Sequence, residues 1–227
     1  MPRKSVKEES ASPASLFEDR NIECLKLPSK DYGISMLLMG STRSGKSTFM
    51  NYLYETIFKH HITTLHSASA HGDIYKPLLK SCAIADKYLP ELIHETHVIN
   101  KKTGNEYEFL HIIDDVVDKK NDPEIKKLFC TYRNQRVSGI YCGQSLTIFN
   151  NVVRGNINYV MLGYLNNDAN VEAVIKSFLI SYFPTKMRLG DKIKAYRELT
   201  RDHHWIIIDS IHGDVFRTKL LHAQIIA

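Results

Sequence analysis

The residues whose types and spacing speak most directly of chemistry are Gly40, Ser41, Thr42, Arg43, Ser44, Gly45, Lys46 and Ser47, with Thr48 next in line. Their order, Gly-x-x-x-x-Gly-Lys-Ser, suits a loop that wraps phosphates. Two glycines let the backbone turn its N–H groups inward as a nest, and a helix starting at the loop's end adds its positive pole. Lys46 supplies a mobile point charge for the β- and γ-phosphate oxygens, and the Ser47 hydroxyl is a ligand for Mg²⁺. The expected ligands are therefore ATP and Mg²⁺, and the expected reaction is hydrolysis of ATP to ADP and phosphate.

A second pair of groups follows downstream. The apolar run at 109–113 ends in Asp114 and Asp115. In open α/β sheets, ligands bind beyond the carboxyl ends of the strands, so both acids fall where the phosphates would lie. Asp114 is expected to hold Mg²⁺ through water. Asp115 is expected to polarise the attacking water as general base. Asp118 is expected to face solvent. A third apolar stretch, 138–142, leads to Gln144, whose amide can report on the γ-phosphate or the attacking water. Arg133, Arg136 and Arg154 flank that stretch, and each is a candidate finger reaching a neighbouring subunit's phosphates.

These groups need a scaffold of strands that end together. Apolar runs predict strands at 34–39, 62–65, 109–113, 138–142, 158–162 and 205–208, with an edge hairpin completed by 215–221. Helices are expected at 47–59, 73–88, 123–132 and 171–183, the last stopped by Pro184. Residues 96–99 and 107–109 read as a hairpin turning at 101–105. The alternation predicts an α/β P-loop NTPase of the RecA-like (ASCE) kind, with a mainly parallel central sheet flanked by helices. Residues 1–20 are expected to be a flexible tail. Residues 21–227 are expected to form one ATPase domain with a basic insertion near 184–201.

Composition narrows the class further. The chain has 227 residues, 43% of them apolar, which is ordinary for a globular domain. No apolar run approaches the ~20 residues of a membrane span, and residues 1–20 hold no apolar secretory core. Cys24, Cys82, Cys130 and Cys142 lack metal-ligand spacing and read as reduced, mostly buried thiols. Adjacent histidines (His60 and His61, His203 and His204) are not spaced as ligands either. His66 and His71 are expected in a loop near the phosphates, and Trp205 in the core. The net charge of +5 is concentrated in one place. Lys176, Lys186, Arg188, Lys192, Lys194, Arg197 and Arg201 stand against only Asp191 and Glu198, a local surplus that suits a polyanion. A solvated basic face is the alternative.

The ordered set from the phosphate loop through Asp114 and Asp115, Arg133 before Ser138, Gln144, and Arg154 resembles the poxvirus-type virion DNA-packaging ATPases of the FtsK–HerA superfamily, over about residues 34–164. The resemblance implies a ring, of hexameric size, that drives double-stranded DNA into a capsid without reading its sequence. It also implies an extra strand between the phosphate-loop strand and the acidic strand, Arg133 as the first finger candidate, and Gln144 as the sensor amide. Capsid or portal components become possible partners. The implied location is intracellular, at a viral assembly site in the host cytoplasm and in the virion. The competing expectation is a non-motor P-loop nucleotide switch or a small-molecule kinase. A GTPase would carry an Asn-Lys-x-Asp base reader, which Asn166, Asn167 and Asp168 only echo, and a kinase would carry an arginine-rich lid.

Overall fold

Strand β1, Ser35–Met39, is buried from end to end, and its side chains alternate between two apolar layers. Leu37 and Met39 enter one, Met36 and Leu38 the other. That period of two places β1 at the centre of a sheet covered on both faces. The computed structural model describes residues 16–25, 27, 32–70, 72–115 and 121–219. After β1 come α1 (Lys46–Leu53), β2 (Ile62–Ser67), α2 (Lys76–Leu79), β3 (Cys82–Ala85), α3 (Pro90–Thr103), β4 (Phe109–Asp114), α4 (Pro123–Cys130) and β5 (Val137–Gly143). The remainder is α5 (Asn151–Arg154), β6 (Tyr159–Leu162), α6 (Asp168–Val174), α7 (Leu189–Leu199), β7 (His204–Asp209) and β8 (Asp214–Lys219).

The eight strands form one sheet in the order β3-β2-β4-β5-β1-β6-β7-β8. β7 and β8 run antiparallel to their neighbours, while the other ladders are parallel. Strand β5 lies between β4 and β1, the insertion that the resemblance implied. Register then aligns the carboxyl ends: Met39 sits opposite Gly143, and Asp114 opposite both Cys142 and Ser67. One face of the sheet is covered by Ile125, Leu128 and Phe129 of α4, Val171 and Val174 of α6, and Tyr196 and Leu199 of α7. On the other, Phe49, Met50 and Leu53 of α1 pack against the sheet's own Trp205 and Phe216. Trp205 packs against Phe49 with the rings tilted by 59° and centroids 4.8 Å apart, a core role as expected. Among the described residues, no helix is long and apolar enough to cross a membrane.

Several sequence expectations are corrected. Residues 73–88 are not one helix: a 3₁₀ turn and α2 give way to the short edge strand β3. Residues 96–99 lie in α3, and the turn at 101–105 is that helix's end, with Gly104 left-handed at its C-cap. The expected basic insertion near 184–201 is largely helix α7, which packs Ala195, Tyr196 and Leu199 inward. Residues 16–20 are packed, not free: Phe17 is in the core and Arg217 grips Asp19 through two guanidinium bonds. Residues 1–15 and Asp118 lie outside the described residues. Among the described residues, the thiols of Cys82, Cys130 and Cys142 are free, with Cys142 buried and the other two half-buried.

Candidate nucleotide-binding site

The loop between β1 and α1 is shaped by two left-handed residues, Arg43 at φ +65° and Gly45 at φ +94°. Opposite-handed neighbours along a backbone turn successive N–H groups to one side, which is the nest geometry for an anion. The loop's start is pinned. Gly40 N–H donates to Gly143 O at 3.1 Å and Ser41 N–H to Tyr164 O at 2.8 Å. A Cβ at Gly40 would sit 2.3 Å from Ser44 Oγ and 3.1 Å from Ser44 Cβ, so a side chain there would force Ser44 to move. Ser41 is braced further, its Oγ accepting from Asn166 N–H at 2.8 Å. Arg197 of α7 donates to the carbonyls of Leu165 and Asn166, holding that brace in place.

Lys46 heads α1 and is nearly enclosed. Its ammonium donates to Gly40 O at 2.7 Å and lies 3.4 Å from Ser41 O. Asp115 Oδ2 is 3.9 Å away. Asp115 leaves β4 with φ +49°, a left-handed turn that swings its carboxylate toward Lys46, and its N–H is tied to Cys142 O at 3.1 Å. A strained non-glycine backbone of this kind persists where surrounding structure over-determines it. Asp114, by contrast, is buried. Burial pushes its carboxyl above the usual range, against hydrogen bonds from Tyr75 and Ser67 and the charge of Lys46.

Tyr75 is the residue that sequence reasoning missed. Its hydroxyl donates to Asp114 Oδ2 and lies 3.4 Å from Ser47 Oγ. One phenol therefore spans the two groups expected to serve the metal. Burial also raises the Tyr75 phenol well above its ordinary range, so it stays a neutral donor. These groups and Thr42, Arg43, Gly45, Thr48 and Ser69 line a cleft of about 560 Å³, a volume that suits a nucleotide's phosphates. Ser47 and Asp114 offer only oxygen donors, one hydroxyl and one carboxylate. That is a fit for Mg²⁺, which keeps water and borrows substrate phosphates rather than needing a full protein cage.

The other predicted residues fall elsewhere. Gln144 follows β5 directly, one step beyond Gly143 and so between the phosphate loop and Asp115; it is exposed. Arg133 precedes β5, at the opposite end of the sheet. Its guanidinium donates to Asn158 Oδ1 at 2.9 Å and Asn156 Oδ1 at 3.4 Å. Arg136 pairs with Glu108, and Arg154 caps the carbonyls of Phe149 and Leu146. His66 is buried against His111, with ring nitrogens 3.2 Å apart, rather than in a loop; His71 lies outside the described residues. Of the basic residues in and around α7, Lys192 is buried, Lys176 pairs with Glu172 and Arg197 with Asp168. Lys186, Arg188, Lys194 and Arg201 remain exposed.

The fold has clear parallels among solved structures. The genome packaging NTPase B204 of Sulfolobus turreted icosahedral virus 2, solved with AMP, aligns with a TM-score of 0.59 at 15% identity, covering 86% of this chain and 100% of that one. B204 of Sulfolobus turreted icosahedral virus, described as a DNA-packaging ATPase, gives 0.60 at 15% identity over 82% of this chain and 97% of that one. The conjugation coupling protein TcpA of pCW3, with ATPγS, gives 0.50 at 14% identity over 82% of this chain and 59% of that one. At such identities the likeness is one of fold, and it agrees with the α/β P-loop architecture read from the sequence. No protein-family model matches the chain, and no curated protein sequence does.

Proposed function

We propose that this chain is an ATP-hydrolysing motor of the FtsK–HerA type that moves double-stranded DNA, in the manner of a viral genome-packaging ATPase. The observation that carries this reading is the cleft itself. Lys46, Ser47, Asp114 and Asp115 meet at the carboxyl ends of β1 and β4, with β5 inserted between, in a fold that matches a packaging NTPase along that protein's whole length. The matched proteins were solved with nucleotides and analogues, which supports ATP as the ligand.

In this reading the loop amides and Lys46 hold the triphosphate. Ser47 and Asp114 hold Mg²⁺, which supplies charge neutralisation of the phosphates when bound. Asp115, free on its outer side, orients and deprotonates the attacking water, and Gln144 contacts the γ-phosphate side of the cleft. The motor works as a homo-oligomeric ring, with Arg133 offered to the next subunit's phosphates. That role requires Arg133 to exchange Asn156 and Asn158 for a partner's nucleotide. Exposed Lys186, Arg188, Lys194 and Arg201 give a face for DNA phosphates without base readout.

The test is ATP turnover by the full chain with and without long duplex DNA. A motor is stimulated by duplex. Turnover that ignores DNA, or phosphate passed to a small acceptor, points instead to a nucleotide switch or a kinase.

A further inference from the structure

The loop from β2 to β3 brings one side chain into the metal-ligand pair that no motif announces. Tyr75 closes a 3₁₀ turn, Asp73–Tyr75, that starts after Gly72. Tyr75 N–H donates to Gly72 O at 3.0 Å, and Gly72 N–H to Ser69 O at 2.9 Å. The turn is fastened to α1 as well, because the Asn51 amide donates to Ile74 O. The Tyr75 ring is 2% exposed and belongs to the core layer beside Phe49 and Leu78. Its hydroxyl is the only polar part, and it lies between Asp114 Oδ2 and Ser47 Oγ.

A carboxylate that reaches Mg²⁺ through water and a serine that binds it directly must share the space between them. The phenol already occupies that space, and its single proton is spent on the carboxylate. We propose that the Tyr75 hydroxyl stands in for a metal-bound water between Ser47 and Asp114, must withdraw each time a Mg²⁺–nucleotide loads, and thereby sets the metal affinity of the site. This rests on the nucleotide-site reading above. Withdrawal would shift the wall formed by Ser69, Gly72 and Ile74, and through Asn51 it is felt by the helix that carries Lys46 and Ser47. Tyr75 is a positioning residue in this scheme: it competes for ligands and touches no reacting atom.

The experiment uses the full chain, a non-hydrolysable ATP analogue and Mn²⁺ as the probe, with free Mn²⁺ read by electron paramagnetic resonance. Tyr75→Phe keeps the buried ring and removes only the hydroxyl. Mn²⁺ binding should tighten about tenfold or more, the worth of one hydrogen bond to a charged group. Nucleotide affinity in EDTA should stay as in the wild type. Should Tyr75→Phe fail to fold, Tyr75→Met, with an apolar body of similar reach, carries the same expectation. Unchanged Mn²⁺ affinity would reduce the residue to packing, and weaker affinity would make it a supporting ligand; either result overturns the proposal. Wild-type protein that binds nucleotide with no gain from Mn²⁺ overturns the metal site itself, and the inference with it.

Discussion

Lowering the pH from 8 to 5 should strip stability from this domain through two buried histidines. His66 on β2 and His111 on β4 face each other with ring nitrogens 3.2 Å apart. Leu89 N–H lies 3.3 Å from His66 Nδ1, and His111 Nε2 lies 2.9 Å from Thr96 Oγ1. Such an arrangement needs a lone pair opposite each N–H, so charging both rings sets donor against donor. Burial holds His66 at a pKa of about 4, against the nearby Lys87 carbonyl and Glu91. Burial and the neighbouring ring hold His111 at about 3. Both lie below the unfolded value of about 6.5. The unfolded chain therefore binds more protons, and stability is full above pH 6.5 and falls as pH drops toward the folded values. At pH 5 each ring costs roughly 2 kcal/mol, about 4 kcal/mol together, out of a typical 5–15 kcal/mol. Urea unfolding at half-unit steps from pH 8 to 5 should show this slope, reduced by about two protons in a His66→Gln, His111→Gln variant. An unchanged slope in the variant, or imidazole resonances of both residues titrating near pH 6.5, would rule out this pair as the source of the acid sensitivity.

Lys46→Ala should abolish ATP turnover, and near-normal turnover would remove the phosphate-loop assignment. With Asp114 as the proposed metal-holding carboxylate, Asp115→Asn should keep nucleotide affinity while losing hydrolysis; equal loss of binding in Asp114→Asn and Asp115→Asn would show that division to be wrong. Arg133→Ala protein should bind ATP but hydrolyse it poorly, and mixing it with Lys46→Ala protein should restore activity at interfaces that pair an intact arginine with an intact loop. Mixed rings that form without recovery would leave Arg133 as the brace that its bonds to Asn156 and Asn158 describe. Replacing Lys186, Arg188, Lys194 and Arg201 with Gln should flatten the salt dependence of DNA binding by about 0.9 for each phosphate no longer neutralised, and an unchanged slope would place the DNA-binding face elsewhere.

What the sequence could convey depended on whether a residue's partners were near it in the chain. The phosphate loop and the acidic end of β4 were legible because their chemistry fixes residue types at short spacing beside apolar runs. Helix α3 was not, because beyond Ile93, which enters the core, its inward face is polar. Thr96 bonds toward His111, and Asn100 donates to the carbonyls of Tyr107 and Gln135. With Thr, His and Asn turned inward, the apolar period of 3.6 was hidden, while Val98 and Ile99 favoured a strand. The glycine signal at Gly104 was correct as a turn, but it ends a helix. Strand β3 is four residues at an edge, half exposed, too short to show alternation. Tyr75 had no local signature at all, since its role exists only once the β2–β3 loop folds over α1. The basic surplus was legible as charge, but not its division into buried, paired and exposed side chains, which α7 decides.

Movement of DNA at the expense of ATP is measured by displacement of a third strand. Long duplex DNA carrying a labelled triplex-forming strand is incubated with the full chain, Mg²⁺ and ATP. A DNA motor releases the label with ATP, releases none with a non-hydrolysable analogue, and releases none as Lys46→Ala or Asp115→Asn protein. ATP hydrolysis stimulated by duplex with the triplex strand left in place would contradict a motor.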